Sequence, residues 1–445
     1  MMKKMLEKIP GYNKLVLPLH RLRAFRAANK HDYPAASMKV IGVTGTNGKT
    51  TTAFMIHSML TEAGYKTGLM TTVAYGVGKN LKSQISHMTT VSAGLLNQRI
   101  ADMRDAGAEY LVLEVTSHAL AQCRTFGIPF DTVVMTNITH EHLDYHKTFA
   151  NYLGAKLKLF KLAHKTHDSK KIGIVNYADP SAKYFASAID RSLAYGIEQG
   201  DIVARQVKLT ASGVEYYVKL PRALKDEFPE INEQNFSDKL HIRTHIPGEF
   251  NVYNSLAAVT VGLVYGLTVQ QIEDGIAALT SVEGRMTRLD EGQKFQVVVD
   301  FAHTPDSFEK LLKDFRATTN GQLIVMFGSA GRRDEAKRAI QGEIAGKYAD
   351  IVVLTEEDDR DVDGEEILTQ IASGAEQSGK KLDYDLFKIL DRTKAIEFTL
   401  QQAKSADDVV MLLGKGHEKT IERTDGEHPW HEIETTRKFL KKLTK

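Results

Sequence analysis

The sequence predicts an α/β protein in which a central phosphate-loop-type parallel-sheet domain carries an antiparallel insertion and precedes a smaller Rossmann-like α/β domain. Three observations predict this: apolar runs of strand length alternate with helical patterns, a glycine-rich turn follows the first run, and a strictly alternating stretch interrupts the series near residue 200. At 445 residues the chain exceeds one compact core. We expect a short N-terminal segment (1–37), a central domain (38–283) and a C-terminal domain (284–445).

The central domain is predicted from its apolar runs, which are bounded by helical patterns and therefore indicate parallel β/α units. In order, these runs are "MKVIGV" (38–43), "YLVLEV" (110–115), "DTVVMTN" (131–137) and "KIGIVN" (171–176). The segment "DIVARQVKLTASGVEYYVKL" alternates on both sides of Ser212-Gly213, which indicates an antiparallel hairpin. "PGEFNVYNSLAAVTVGLVYGL" is typical of a turn followed by a helix.

A second series of strands predicts the smaller domain. Its runs are "FQVVVDFAH" (295–303), "QLIVMFG" (322–328), "DIVVLTE" (350–356) and "DVVMLLG" (408–414). We place the boundary between the domains near "SVEGRM", residues 281–286.

Composition excludes several classes of protein. The net charge of +2 favours neither nucleic-acid nor membrane-surface binding. The single cysteine, Cys123, excludes an internal disulfide framework. No run approaches the ~20 apolar residues of a membrane span. We expect a cytoplasmic, monomeric protein whose basic N-terminal segment forms a short amphipathic helix that lies on its body or, as the alternative, on a membrane.

"VIGVTGTNGKTTTAFMIHSML" predicts a strand, a glycine-rich turn and a helix, which is the arrangement that binds phosphate through backbone N–H groups. Lys49 is expected to neutralise the β- and γ-phosphates of ATP, and Thr50 to offer its hydroxyl to Mg²⁺. Val43 stands where the general pattern has its first glycine, so the loop is a variant. The candidate ATP-binding residues here are Gly45, Thr46, Asn47, Gly48, Lys49, Thr50 and Thr51.

Residues 149–160 predict a helix with one apolar stripe, and Lys156 falls in the middle of that stripe. Burial lowers the pKa of an amine, and a neutral amine can capture CO₂ to become an anionic carbamate, an oxygen ligand suited to Mg²⁺. A lysine that extends to the surface explains the same pattern, so this segment alone leaves both interpretations open.

The ends of two predicted strands favour the carbamate. Glu114 and Asn137 stand at the carboxyl ends of their strands, and His142 follows shortly after the second. In a parallel sheet these ends share one edge with the phosphate loop. We therefore expect Glu114, His142 and Lys156 to converge on Mg·ATP.

At this point the sequence resembles the Mur ligases of peptidoglycan precursor synthesis, and among them the ligases that add the third residue of the peptide. The matching motifs run in the family's order from about residue 39 to 420. They are "GVTGTNGKTTT", "EVTSHALAQCR", "TNITHEHLDYH", "GAKLKLF", "PGEFNVYNSLAA", "GRM", "VDFAHTPDSFEKLL", "FGSAGRRDEAKR" and "GKGHE".

The resemblance implies a role for each matching residue. Glu114 and His142 would hold Mg²⁺ together with Thr50 and a carbamylated Lys156. Further ATP contacts would come from Asn251, Asn254, Arg285, Asp300 and His303. The UDP-linked muramoyl dipeptide would be held by Thr89, Thr90, Thr116, Ser117, Gln122 and Arg124. The incoming diamino acid would be held by Arg333, Asp358, Arg360, Gly414 and Glu418.

The sequence departs from the family in two places. Only 37 residues precede the first strand, which places recognition of the uridine end in residues 1–37 or in a partner. The amino-acid loop is "EDDR" (357–360) in place of Asp-Asn-Pro-Arg. The retained Arg360 favours meso-diaminopimelate, whereas the added acid favours L-lysine. The alternatives to this activity are a ligase for another acid acceptor and a P-loop regulatory ATPase without ligase activity.

Overall fold

The computed structural model describes residues 12–84, 89–165, 171–210, 212–237 and 239–444. Two sheets and a hairpin organise them. The strands of the larger sheet are β1 (Lys39–Thr44), β2 (Thr67–Met70), β3 (Ala74–Val77), β4 (Asn80–Ser83), β5 (Tyr110–Glu114), β6 (Phe130–Met135), β7 (Ile172–Asn176), β8 (Ser192–Ile197), β9 (Ile202–Thr210), β10 (Gly213–Val218) and β11 (Leu240–Thr244). The smaller sheet contains β12 (Thr287–Leu289), β13 (Gln296–Asp300), β14 (Leu323–Phe327), β15 (Ile351–Leu354), β16 (Leu386–Lys388) and β17 (Val409–Leu413), and the hairpin is β18 (Thr420–Arg423) with β19 (Gly426–Pro429).

Helices connect and cover these strands. Those in the first part of the chain are α1 (Tyr12–Lys30), α2 (Lys49–Glu62), α3 (Ala93–Asp105), α4 (Ser117–Ala121), α5 (Leu143–His146), α6 (Phe149–His164), α7 (Ala182–Ala186), α8 (Leu224–Glu227), α9 (Gln234–Ser237), α10 (Phe250–Val264) and α11 (Val269–Ala277). Those in the second part are α12 (Pro305–Thr318), α13 (Ala336–Tyr348), α14 (Gly364–Gln377), α15 (Arg392–Gln402) and α16 (Glu432–Leu443).

The predicted α/β class is confirmed, and the larger sheet has the order β11-β10-β9-β8-β7-β6-β1-β5-β2-β3-β4. Its central pairs are parallel, including β1 with β5 and β1 with β6. The predicted antiparallel hairpin is β9–β10, and it extends this same sheet because β9 pairs in parallel with β8. A second antiparallel edge, β2–β3–β4, was not predicted from the sequence.

Strand β1 lies at the point where the chain changes direction across the sheet, since β5 flanks it on one side and β6 on the other. Ligands of open α/β sheets bind in the crevice beyond the carboxyl ends of such strands. The β1–α2 turn therefore stands where a phosphate group is expected.

The smaller sheet has the order β12-β13-β17-β14-β15-β16, with parallel pairing throughout except for β12 against β13. Its central strand β17 is buried along its whole length, as is β14, which accounts for their unbroken apolar sequences.

Helix α1 begins the described chain and packs against α3. Within this helix Ala24 and Ala28 are buried, whereas Leu19, Leu22 and Phe25 are exposed. The predicted helix on the body of the protein is thus found at residues 12–30. Among the described residues, no helix is long and apolar enough to cross a bilayer.

Candidate active site

A cavity of about 1280 Å³ lies between the carboxyl ends of the two sheets. The larger sheet contributes the phosphate loop, Glu114 and the segment after β6, and the smaller sheet contributes residues after β13, β14, β15 and β17. Most of the candidate residues line it. They are Thr46, Asn47, Gly48, Lys49, Thr50, Thr51, Thr89, Glu114, Thr116, His142, Asn251, Asn254, Arg285, Asp300, His303, Arg333, Asp358, Arg360 and Glu418.

The phosphate loop is held by close backbone approaches that admit only glycine. Gly48 has φ +82, and a Cβ there would lie 2.2 Å from Oδ1 of Asn254. A Cβ on Gly45 would lie 1.8 Å from Oγ1 of Thr136. The N–H of Asn47 donates to Oδ1 of Asn137 at 2.9 Å, so the end of β6 also fixes the loop.

The polar groups of the loop are held in place by hydrogen bonds. The ammonium of Lys49 donates to the carbonyl of Thr46 at 2.7 Å, and burial lowers its pKa. The hydroxyl of Thr50 donates to Oε2 of Glu114 at 3.0 Å. The same oxygen accepts from the N–H and hydroxyl of Thr72 at 3.0 and 3.1 Å. The carboxylate of Glu114 is therefore fixed at the mouth of the loop.

Lys156 lies directly behind the loop on the buried face of α6. It is 2% exposed, and its ammonium donates to the carbonyl of Gly45 at 2.5 Å. Burial lowers its pKa well below the ordinary value, and the neighbouring Lys49 acts in the same direction, while Glu141 and Glu114 oppose it. A lower pKa increases the fraction of the amine that is neutral.

The stripe predicted from helical periodicity consists of Phe149, Tyr152, Leu153, Leu157 and Phe160, with Lys158 on the opposite face, and the buried stripe of α6 is displaced from it. Phe149 is 37% exposed because it opens the helix, whereas Tyr152, Leu159 and Phe160 are fully buried beside Lys156. The inward position of Lys156 is unchanged by this shift, and Lys158 is exposed as predicted.

Glu141 is a candidate functional residue that sequence reasoning missed. Burial opposes its ionisation, but the surrounding positive groups outweigh it and lower the pKa to about 2. Those groups are His142, His303, Lys337 and Lys49. The side chain of Glu141 lies 3.6 Å from His142 and 3.8 Å from His303, so it joins the larger sheet to the smaller one across the cavity. Its place between two histidines in "THEHLDYH" was the available signal.

Arg285 and Asp300 lie where the two sheets meet. Nη2 of Arg285 donates to the hydroxyl of Thr50 at 3.3 Å, so a residue of the predicted boundary segment, 281–286, contacts the phosphate loop. The carboxylate of Asp300 accepts the N–H groups of Met286 and Ala302, both at 2.7 Å. Burial raises the pKa of Asp300, while Arg285 opposes that rise.

Two of the side-chain amides predicted to contact ATP form a buried hydrogen-bonded chain at the start of α10. Asn251 donates to the carbonyl of Pro247 at 2.6 Å, and Asn254 donates to Oδ1 of Asn251 at 2.8 Å. Oδ1 of Asn254 accepts from Thr52 at 3.4 Å. These contacts orient both amides against the phosphate-loop helix α2.

The predicted acceptor residues form a second cluster beside the cavity. Arg124 donates to the carbonyl of Thr90 at 2.5 Å and, through Nε and Nη2, to Oε1 of Gln122 at 3.0 and 2.6 Å. The hydroxyls of Thr90 and Thr116 are 3.4 Å apart. Only Thr89 and Thr116 of the acceptor set reach the cavity itself.

His146, which is not among the predicted site residues, is buried next to the acceptor cluster. It is 7% exposed, and its Nε2 is hydrogen-bonded to the hydroxyl of Ser117 at 3.0 Å. The ring of His118 lies between it and His142, at centroid distances of 5.5 and 4.8 Å. Ser117 is thus tied to the segment that carries His142.

The predicted amino-acid residues are coupled by ion pairs. The buried ammonium of Lys415 donates to Asp358 at 2.9 Å and to Glu418 at 2.6 Å. Glu357 is also buried, and burial raises its pKa to about 7. Its carboxylate lies next to Gly414, so close that a Cβ added to Gly414 would be 2.7 Å from Oε2 of Glu357. Glu357 was not predicted as a site residue, although it begins the "EDDR" motif.

The donors present suit Mg²⁺ held mainly by nucleotide oxygens. Among the described residues, no group of three or more His, Cys, Asp or Glu side chains is arranged to hold a metal alone. Mg²⁺ is bound typically by one or two carboxylates together with substrate phosphates and water. Glu114, Thr50 and His142 line the cavity beside the loop, which fits that donor set.

Two family descriptions cover most of the chain. Residues 43–262 match the Mur ligase middle domain, and residues 284–416 match the domain described as Mur ligase, glutamate ligase domain. A UDP-N-acetylmuramyl-tripeptide synthetase of Roseiflexus sp. (strain RS-1) is 39% identical over 429 residues, which are 94% of this chain and 81% of that protein. The UDP-N-acetylmuramoyl-L-alanyl-D-glutamate–2,6-diaminopimelate ligase 1 of Clostridium acetobutylicum is 38% identical over 94% of this chain and 82% of its own length.

Solved structures agree with these matches. A UDP-N-acetylmuramoyl-L-alanyl-D-glutamate–2,6-diaminopimelate ligase superposes with a TM-score of 0.62 at 27% identity, covering 96% of this chain and 82% of that one. The folylpolyglutamate synthase of Mycobacterium tuberculosis, complexed with ADP and AMPPCP, shares the fold with a TM-score of 0.70 at 16% identity, covering 95% of each chain. The chain belongs to the Mur ligase family and is an ATP-dependent ligase that forms an amide bond.

Proposed function

We propose that this ligase adds a diamino acid to UDP-N-acetylmuramoyl-L-alanyl-D-glutamate in peptidoglycan precursor synthesis, with meso-diaminopimelate favoured over L-lysine. The observation that carries the proposal is the single cavity that the phosphate loop, Thr116 and Arg360 all line. One wall suits a nucleoside triphosphate, and the opposite wall suits an amino acid with a distal carboxylate. Two relatives named as 2,6-diaminopimelate ligases, which match 94% and 91% of this chain, support this choice.

In the first proposed step, an oxygen of the acceptor carboxylate attacks the γ-phosphorus of ATP, and ADP leaves. The product is an acyl phosphate. Lys49 and Arg285 both reach the loop, so their positive charges stabilise the negative charge that develops on the transferring group. The fixed loop N–H groups orient the phosphates without rearrangement.

Lys156 is proposed to act as a carbamate. Its neutral amine attacks CO₂, a C–N bond forms, and one proton is released to solvent. The resulting anion would hold Mg²⁺ together with Glu114, His142 and the hydroxyl of Thr50. Bound Mg²⁺ supplies further positive charge to the triphosphate.

In the second proposed step, the amine of the diamino acid attacks the acyl carbon, phosphate leaves, and the nitrogen loses a proton. Arg333 and Arg360 line the wall that receives the amino acid, and each offers a guanidinium to a carboxylate. Glu357 and Glu418 offer anionic partners to an ammonium. Enclosure between the two sheets keeps water from the acyl phosphate.

An incorporation assay tests the proposal. Purified protein would receive ATP, Mg²⁺, UDP-muramoyl dipeptide and radiolabelled meso-diaminopimelate or L-lysine, with ADP release measured in parallel. We expect amino-acid-dependent ADP release and a labelled UDP-linked tripeptide, faster with diaminopimelate. ATP turnover that is independent of the amino acid would contradict the proposed reaction.

The identity of the acceptor is tested separately. The chain aligns with about four-fifths of its relatives' length, so recognition of the uridine diphosphate part of the acceptor is tested directly. Glutamyl peptides without the uridine diphosphate would replace the natural acceptor in the same assay. We expect them to support turnover at least about tenfold more weakly, since each lost charge-assisted contact contributes roughly 1.5–3 kcal/mol. Equal turnover would indicate a ligase for a different acid acceptor.

A further inference from the structure

The β18–β19 hairpin holds the loop that carries Arg360. The N–H of Arg360 donates to the carbonyl of Glu422 at 3.0 Å, and the carbonyl of Arg360 accepts from the hydroxyl of Thr424 at 2.8 Å. One residue further along β18, Arg423 donates to both oxygens of Glu356 at 2.8 and 2.7 Å. Arg360 has φ +58, a conformation that side-chain-bearing residues seldom adopt and that these contacts maintain.

Glu422 also engages the guanidinium of Arg360. Nε of Arg360 donates to Oε2 of Glu422 at 2.7 Å, and Nη1 donates to the carbonyl of Gly331 at 2.5 Å. Within the described residues, Nη2 is the one guanidinium nitrogen of Arg360 without a protein acceptor. Arg360 lines the cavity, and its side chain is 18% exposed.

This arrangement changes what Arg360 offers to a ligand. A guanidinium grips a carboxylate best through two parallel N–H donors on one edge. Here Glu422 occupies the Nε–H and Gly331 occupies one Nη1–H, so three of the five N–H donors remain, and the edge that pairs Nε with Nη2 is not free to hold a substrate carboxylate through two donors. The carboxylate of Glu422, 38% exposed, also places a negative charge beside the same guanidinium.

We propose that Glu422 is a specificity-determining residue that weakens selection for the distal carboxylate of the diamino acid. With Glu422 present, Arg360 discriminates only modestly between meso-diaminopimelate, which has that carboxylate, and L-lysine, which lacks it. The inference rests on the proposed function, because it takes Arg360 as the partner of the distal carboxylate. It assigns to β18 a role that the family motifs do not contain.

Glu422→Gln tests the charge while keeping an oxygen that accepts the Nε–H of Arg360. The measured quantity is the ratio of kcat/KM for diaminopimelate to kcat/KM for lysine. This ratio cancels effects common to both amino acids, including the loss of a negative charge near their shared ammonium groups. We expect the ratio to rise about fivefold in the variant, as one unit charge about 4 Å away accounts for roughly that factor in water.

Two further variants interpret the result. Glu427→Gln changes the residue opposite Glu422 on the same hairpin, and we expect it to leave the ratio unchanged. Glu422→Ala removes both the charge and the anchoring bond. An unchanged ratio in Glu422→Gln combined with a lower ratio in Glu422→Ala would show that Glu422 only positions Arg360, and this would overturn the proposal. An equal rise in Glu427→Gln would overturn it as well.

Failure of the proposed function has a different signature. If the wild-type protein incorporates neither diamino acid, the reaction itself is wrong, and the ratio has no value. If both are incorporated and Arg360→Ala leaves the ratio unchanged, Arg360 does not meet the distal carboxylate and the role of Glu422 fails alone.

Discussion

The two walls of the cavity are built in different ways. The wall from the larger sheet is centred on one contiguous turn, residues 45–51, with Glu114 and the segment after β6 beside it, and close backbone contacts and a few hydrogen bonds fix this turn. The wall from the smaller sheet is assembled from the residues after β13, β14, β15 and β17 and from the β18–β19 hairpin, and it is held by ion pairs such as Lys415–Asp358 and Arg360–Glu422.

The difference bears on what each wall can recognise. Backbone N–H groups can bind any polyphosphate. The sequence of this turn can change little, because a side chain at Gly48 would collide with Asn254. Side chains held by other side chains can be exchanged singly, so the second wall can change its amino acid by substitution. In the proposed reaction, the phosphate wall would supply the chemistry, and the ion-paired wall would supply the choice of nucleophile.

The largest expected effect comes from breaking the first wall at its buried amine. We expect Lys156→Ala to lower kcat about a thousandfold, because it removes the proposed carbamate and with it about 4 kcal/mol of stabilisation of the transferring phosphate. Lys158→Ala, two residues along the same helix and exposed, is the matched control and should retain activity.

Rescue distinguishes chemistry from packing in that variant. Short carboxylic acids such as acetate fit the space left by Lys156→Ala and restore an anionic oxygen, so we expect partial recovery of kcat. Bicarbonate alone should restore nothing, because no amine remains to carry it. Wild-type-like turnover of Lys156→Ala without added acid would refute the carbamate.

The next effect tests the residue that joins the walls. We expect Glu141→Gln to lower kcat about a hundredfold, since the substitution removes the negative charge that faces Lys49, His142 and His303. Glu233→Gln, an exposed acid, serves as the control for charge alone. Similar kcat values in the two variants would reduce Glu141 to a structural residue.

A smaller effect is expected in the wall of the smaller sheet, where Glu357 should make kcat/KM depend on pH. Burial raises the pKa of Glu357 to about 7, so its carboxyl is mostly protonated at pH 6 and mostly ionised at pH 8. An ionised Glu357 can pair with the ammonium of the diamino acid. The ratio of kcat/KM between wild type and Glu357→Gln should therefore rise about tenfold from pH 6 to pH 8.

The contribution of Glu357 to the stability of the protein changes with pH in the opposite direction to its contribution to activity. A folded-state pKa above the ordinary value means that the native state holds its proton more tightly than the unfolded state. Stability therefore falls as pH rises from the ordinary carboxyl range to about 7. Thermal unfolding of wild type and Glu357→Gln across that range would show the two curves diverging with rising pH. A constant difference would contradict the raised pKa.

Local patterns were sufficient for most of the fold. The apolar runs predicted β1, β5, β6, β7, β13, β14, β15 and β17 to within a few residues. The short edge strands β3 and β4 were not predicted from the sequence. Strand β4, "NLKS", is largely exposed and has no alternation of apolar and polar residues. The parallel joining of β9 to β8 depends on tertiary pairing, which sequence alternation does not encode.

The site residues also fall into those that the sequence predicts and those that it does not. Helical periodicity placed Lys156 inward, and strand ends placed Glu114 beside the loop, because both follow from regular geometry. Glu141, Glu357 and Glu422 were missed as site residues. Their importance depends on neighbours far away in the chain, such as His303 for Glu141 and Arg360 for Glu422, and one sequence gives no register between such segments.

The smallest effect concerns the direct contact between the walls. Nδ2 of Asn47 in the phosphate loop donates to Oδ2 of Asp306 at 3.1 Å, and Asp306 also pairs with Lys310 one turn along α12. Asp306→Ala should raise the KM for ATP about threefold to fivefold, since one partly buried hydrogen bond contributes roughly 1 kcal/mol. Lys310→Ala removes only the exposed ion pair and should change the KM for ATP by less than about twofold. Equal changes in the KM of the two variants would mean that the exposed ion pair, and not the hydrogen bond to Asn47, supports the loop. A larger change in Asp306→Ala would show that nucleotide affinity depends on a contact from the wall of the smaller sheet.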